Sequence, residues 1–182
     1  MKATGIVRRI DELGRVVVPK EIRRTLRIRE GDPLEIFTDN EGEIILKKFS
    51  PIGELSAFSE EYAESLAKSA GYTVCITDKE QVIAAAGAGK RQLLTKTVSL
   101  QLESAMEARE EIVASAKEDS FRRIVEGQEE EYLAQAIAPI LSDGDVVGSV
   151  ILLTKDTNKK FGDTEMMLVR TAATFLGKQM EQ

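Results

Sequence analysis

The sequence contains no histidine and a single cysteine, Cys75, in 182 residues. Without imidazole the chain cannot by itself assemble Ser-His-Asp or Cys-His nucleophilic machinery, a histidine metal site or a c-type haem attachment. One thiol excludes an intrachain disulfide and a cysteine-rich zinc knuckle, and it suits a reducing compartment. Long apolar runs are missing as well: Val146 to Leu153, interrupted by Gly148 and Ser149, falls far short of a bilayer span. The opening residues lack the apolar stretch of a signal peptide. These absences predict a cytoplasmic protein with no membrane partner. What is present, 42% apolar and 31% charged residues, describes a folded chain with room for one domain or two small ones.

The net charge of -6 hides a strong asymmetry. Residues 1 to 29 carry nine cations (Lys2, Arg8, Arg9, Arg15, Lys20, Arg23, Arg24, Arg27 and Arg29) against three anions, Asp11, Glu12 and Glu21. The N-terminal end therefore attracts polyanions while the remainder repels them.

Short β-branched stretches at Thr4 to Ile10 and Val16 to Val18, separated by a polar turn with Gly14, read as strands. Pro19 stands where a first helical residue belongs, and Ile22 and Leu26 follow at helical spacing, predicting a helix of about two turns. Gly31-Asp32-Pro33 ends it. Leu34 to Thr38 and Glu43 to Phe49 then alternate about Asp39-Asn40-Glu41-Gly42 as a hairpin. A segment of 50 residues without disulfide or metal buries too little apolar surface to fold alone, so residues 1–50 are expected to dimerise. Pro51, Ile52 and Gly53 mark a linker, and 54–182 form a second domain.

In that second domain Glu54 to Ala70 is an amphipathic helix stopped by Gly71. Thr73 to Thr77 and Val82 to Ala86 read as a hairpin, Val98 to Arg109 as a helix and Glu111 to Ser115 as a strand. A long hairpin joins Tyr132 to Leu141 with Asp145 to Thr154; it places Val146, Val150 and Leu152 on one face and Val147 and Ile151 on the other. Strands apolar on both faces require a sheet covered by helices on at least one side and shielded on the other. Asp163 is the expected N-cap of a closing helix, Thr164 to Gln179.

Chemistry concentrates in the short N-terminal helix. At about 100° per residue, Pro19, Ile22 and Leu26 fall on one side and Lys20, Arg23, Arg24 and Arg27 on the other. Arginine dominance favours forked contacts to phosphates and guanine edges. Arg8 and Arg9 are consecutive in a strand and point to opposite faces, whereas Arg15 sits in a turn and is free to reach. A helix-turn-helix is excluded, because only one helix of the required kind precedes residue 50. The remaining signals read as structural. Gly87-Ala88-Gly89-Lys90-Arg91 lacks the first glycine and the hydroxyl of a phosphate loop and reads as a mobile loop. Cys75 reads as a buried inert thiol, and Glu110-Glu111 and Glu129-Glu130-Glu131 as solvated surface.

The run from Thr4 through Leu13-Gly14-Arg15, Val18-Pro19 and Ile22-Arg23, with Gly31-Asp32 before a hairpin, resembles the AbrB-type swapped-hairpin DNA-binding domain of bacterial transition-state regulators. That resemblance implies an interleaved homodimer bound to double-stranded DNA. Arg8, Arg15, Arg23 and Arg24 then fall at the family's DNA-contacting arginines, with Arg9, Lys20, Arg27 and Lys2 as further candidates. Ala134 to Leu141 followed by Gly144 and Val146 to Ile151 resembles a GAF domain, which implies a sensing or oligomerising role. No cofactor is nameable, and an unidentified small-molecule effector is the class of ligand implied.

The whole is similar to sporulation regulators of bacilli that activate some genes and repress others. The expected fold class is α+β: an N-terminal swapped-hairpin β domain with one short helix, then a GAF-like antiparallel sheet with flanking helices. Apolar stripes on 54–70 and 163–180 imply a second dimer contact and so a homotetramer. The competing reading is an antidote-like protein that neutralises a toxin and represses its own operon. Catalysis is not expected, because no nucleophile-base pair or metal cluster can be assembled.

Overall fold

The computed structural model describes residues 6–50, 52, 56–129 and 131–181. They fall into two compact units, Met1–Phe49 and Ser50–Gln182.

In the N-terminal unit the described elements are α1 (Lys20–Thr25), β1 (Leu34–Thr38) and β2 (Ile44–Lys48). The hairpin pairs Leu34 with Lys48 and Thr38 with Ile44. Its turn is held by Asp39, whose Oδ1 accepts from the amides of Glu41 and Glu43. Pro19 is the N-cap rather than the first helical residue, and its carbonyl accepts from Arg23 N at 2.9 Å. Of the expected strands at 4–10 and 16–18, residues 4 and 5 lie outside the described residues, and the described residues 6–10 and 16–18 belong to no strand or sheet. Ladder hydrogen bonds require a neighbour, and one chain supplies none along this segment.

The C-terminal unit contains α2 (Ser56–Ala70), β3 (Thr73–Thr77), β4 (Val82–Ala86), α3 (Lys90–Leu93), α4 (Leu100–Glu107), β5 (Ile112–Ser115), β6 (Ala134–Ser142), β7 (Asp145–Thr154) and α5 (Asp163–Met180). The strands form one antiparallel sheet in the order β4-β3-β7-β6-β5. Because successive strand residues face opposite ways, the sheet has two apolar cores. Val74, Ile76, Val150 and Leu152 pack with Ala63 of α2 and Val169, Ala172 and Leu176 of α5. Cys75, Ile151 and Leu153 pack with Leu93, Leu102, Met106, Ile124 and Tyr132 on the other side. No helix among the described residues is long and apolar enough to cross a membrane.

Several local expectations shift. Val147 joins Val150 and Leu152, while Val146 packs on the opposite core, because the register slips between Ile140 and Leu141 and inserts an extra residue in β7. Gly162, not Asp163, is the N-cap of α5; Glu165 reaches back to accept from Gly162 N at 2.8 Å. Lys90 and Arg91, expected in a mobile loop, open a one-turn helix, Lys90–Leu93, and Thr73 Oγ1 donates to Ala88 O at 2.7 Å beside it. Glu111 is not simply solvated: Arg170 Nε donates to its Oε1 at 2.9 Å and holds its carboxyl below the usual range. Glu110 lies 3.5 Å from Arg122. Ile52, in the expected linker, is fully buried in the core of the C-terminal unit. Beside it in sequence, Ser50 Oγ donates to Asp78 Oδ2 at 3.0 Å.

Candidate nucleic-acid interface

The basic residues sit on two small scaffolds. The first is a closed turn over 11–15. Asp11 N donates to Arg15 O and Gly14 N to Asp11 O, each at 3.0 Å, and Gly14 takes φ +75°. Asp11 Oδ1 accepts from Leu13 N at 3.0 Å and from Arg15 N at 2.8 Å. Its Oδ2 accepts from Arg15 Nε at 2.8 Å, with the Arg15 side chain still 69% exposed. The backbone and side-chain hydrogen bonds from Arg15 hold the Asp11 carboxyl below the usual carboxylate range.

The second scaffold is α1, which brings Lys20, Arg23 and Arg24 onto six residues. Arg23 and Arg24 occupy its last turn, where cations complement the helix dipole. Arg27 departs from the expected helical face. It lies beyond α1 with φ +52°, a left-handed conformation that ends the helix. Lys48 reaches the Arg27 carbonyl and Asp32, fastening this corner to β2. Arg8 and Arg9 are exposed on the segment before the turn, which belongs to no helix or strand. Lys2 lies outside the described residues. Sequence reasoning counted Asp11 only as an opposing charge; an aspartate four residues before an arginine, with glycine between them, was the available signal.

The other feature of this unit is apolar. Among its described residues Pro19 alone is buried. Val7, Ile10, Leu13, Val17, Ile36 and Ile44 are each more than 60% exposed. In the C-terminal unit the packed sheet leaves an open cleft of about 400 Å³ lined by Glu64, Ala67, Lys68, Ala86, Gly87 and Lys90. Cys75 is fully buried, and burial raises its thiol pKa far above the ordinary value, as an inert thiol requires. No group of three or more metal-ligating residues occurs among the described residues.

Residues 54–181 match the family model for the stage V sporulation protein T C-terminal, transcription factor. The chain is 50% identical to stage V sporulation protein T of Bacillus subtilis (strain 168) over 182 residues, all of both chains. The chain belongs to the stage V sporulation protein T family. Residues 7–52 also match the model for antidote-toxin recognition MazE, bacterial antitoxin. Over 51 residues, 28% of this chain and 52% of the relative, it is 67% identical to transition state regulatory protein AbrB of the same organism. The sheet and helices superpose on the GAF domain of Acinetobacter phosphoenolpyruvate-protein phosphotransferase with a TM-score of 0.58, covering 69% of this chain and 81% of that one at 14% identity. As a member of the stage V sporulation protein T family the chain is a transcription regulator and not an enzyme. It binds DNA through its AbrB-like unit, and its C-terminal unit has a GAF-like fold.

Proposed function

We propose that two chains interleave their residues 1–50 to complete one β core, and that this dimer presents Arg8, Arg15, Arg23 and Arg24 of each subunit to double-stranded DNA. Arg9, Lys20, Arg27 and Lys2 flank them. The observation that carries the reading is the unfinished N-terminal unit: residues 6–10 and 16–18 belong to no strand of this chain, and its large apolar side chains lie in water. Exposed apolar surface of that extent on 50 residues belongs to an interface. A second chain supplies both the missing strands and the missing cover.

The C-terminal unit then has the oligomerising or small-ligand-sensing role. Phe58 and Phe175, at 36% and 40% exposure, form a ring cluster with Tyr62 at the meeting of α2 and α5. A second dimer contact through these helices makes a tetramer, and DNA occupancy activates some sporulation genes and represses others. Native mass spectrometry of freshly purified protein reads the chain count and any retained small molecule. A mobility shift with Arg23→Ala plus Arg24→Ala reads the DNA contact; unchanged affinity at low salt refutes the assignment. The antitoxin-model match over 7–52 favours one rival, an antidote-like protein, and a toxin co-purifying in equal amount decides for it.

A further inference from the structure

The Asp11–Arg15 pair carries a consequence for recognition. A carboxylate inside a polyanion-binding surface repels the ligand, so its simplest effect is to weaken DNA binding. Asp11 does two separable things, however. Its Oδ1 closes the turn by accepting from Leu13 N and Arg15 N, while its Oδ2 accepts from Arg15 Nε. A guanidinium bound through Nε keeps both terminal nitrogens available, and those donors make forked contacts to guanine or to phosphate. A long arginine side chain otherwise loses rotamer freedom when it docks.

We infer that Asp11 is a positioning residue for DNA recognition: it holds the Arg15 guanidinium in one orientation before DNA arrives, and the benefit of that order exceeds the repulsion its charge brings. The inference rests on the reading of Arg15 as a DNA contact. Repulsion and positioning predict opposite signs, which makes the two separable. Asp11→Asn keeps an Oδ1 acceptor for the two backbone amides but places an NH2 where Oδ2 received Nε.

The experiment uses the full-length chain and a duplex selected by the wild-type protein from random-sequence DNA, with mixed-sequence duplex as competitor. Positioning predicts that Asp11→Asn weakens the selected duplex by about fivefold for each chain engaged. The melting temperature and chain count stay unchanged, and the effect disappears in an Arg15→Ala background. Tighter or equal binding by Asp11→Asn overturns the inference and leaves Asp11 as a turn-former with a tolerated charge. If Arg15→Ala itself leaves affinity unchanged, the reading of Arg15 as a contact fails, and the positioning role falls with it for that different reason. Should Asp11→Asn lower the melting temperature, the wild-type protein still decides. A ¹⁵N-edited spectrum in which the Arg15 Nε proton is protected from solvent exchange without DNA supports the hold, and fast exchange overturns it.

Discussion

Tyr72, in the bend just before β3, donates its hydroxyl proton to Glu165 Oε1 at 2.8 Å, joining the end of the sheet to the first turn of α5. The same carboxylate accepts from Gly162 N through its other oxygen. Phe161 packs edge-on against the Tyr72 ring at 4.7 Å, and the Lys159 ammonium lies 4.5 Å from the ring centroid. Burial, and then the hydrogen bond and charge of Glu165, push Tyr72 up from 10.0 to about 12. On Glu165, burial pushes upward but the hydrogen bonds from Tyr72 and from backbone amides outweigh it, leaving the carboxyl below its ordinary value.

A pH dependence follows from Tyr72. The folded state raises its pKa, so the neutral hydroxyl contributes its full stabilisation below the unfolded value of 10.0. That contribution is lost as pH rises from there through about 12. Thermal unfolding across this window should show a decline that Tyr72→Phe flattens. At neutral pH the same substitution should cost about 1 kcal/mol for the lost hydrogen bond. An unaltered alkaline decline in Tyr72→Phe contradicts the assignment.

Two glycines hold backbone against backbone in the C-terminal unit. A Cβ on Gly148 would stand 1.9 Å from Thr77 O, and one on Gly177 would stand 2.0 Å from Leu141 O. Neither oxygen can retreat without breaking a strand. Gly148→Ala and Gly177→Ala should each destabilise this unit by about 3 kcal/mol, measured by chemical denaturation. Gly177 shows why α5 can press closely on the end of β6.

Legibility in the sequence tracked the range of the interaction. The β3–β4 and β6–β7 hairpins were readable because alternation and turn residues are local; Asp143 and Gly144 both take positive φ, as a two-residue hairpin turn requires. The basic character of α1 was equally local. By contrast, the Glu111–Arg170 and Tyr72–Glu165 pairs join residues 59 and 93 apart, and no periodicity announces them. The left-handed Arg27 escaped because helical spacing continues past the residue where the helix stops. The strands at the N-terminus were read from β-branched composition, but composition cannot say whether one chain provides the pairing partner. The phase of Val146 and Val147 was lost to a single bulge.

Salt dependence tests the number of arginines engaged. Four phosphate contacts per chain in a dimer give a log-log slope of affinity against salt near about -7. Removing one arginine from each chain deletes two contacts and should flatten that slope by about 1.8. Arg23→Ala and Arg24→Ala should each do so, as measured by fluorescence anisotropy from low to moderate salt. Loss of affinity without a change in slope would instead mark a side chain that supports the dimer rather than one that meets phosphate.

The ring cluster on α2 and α5 bears on assembly. Phe175 lies 5.8 Å from Phe58 and 5.7 Å from Tyr62, centroid to centroid, and both phenylalanines remain partly exposed. Val169, Ala172, Ala173 and Leu176 of α5 are already spent on their own sheet. In the proposed second contact, the aromatic flank rather than the whole apolar stripe of this helix is left to meet another subunit. Phe58→Lys and Phe175→Lys should each convert a tetramer to a dimer in analytical ultracentrifugation, because a lysine ammonium at the centre of an apolar contact loses its hydration without gaining a partner. Each single DNA-binding pair survives in such a dimer, so affinity for a short duplex holds, while affinity for a duplex long enough for two pairs falls by the lost gain from linked binding. A tetramer that persists in both variants places the second contact elsewhere on the C-terminal unit.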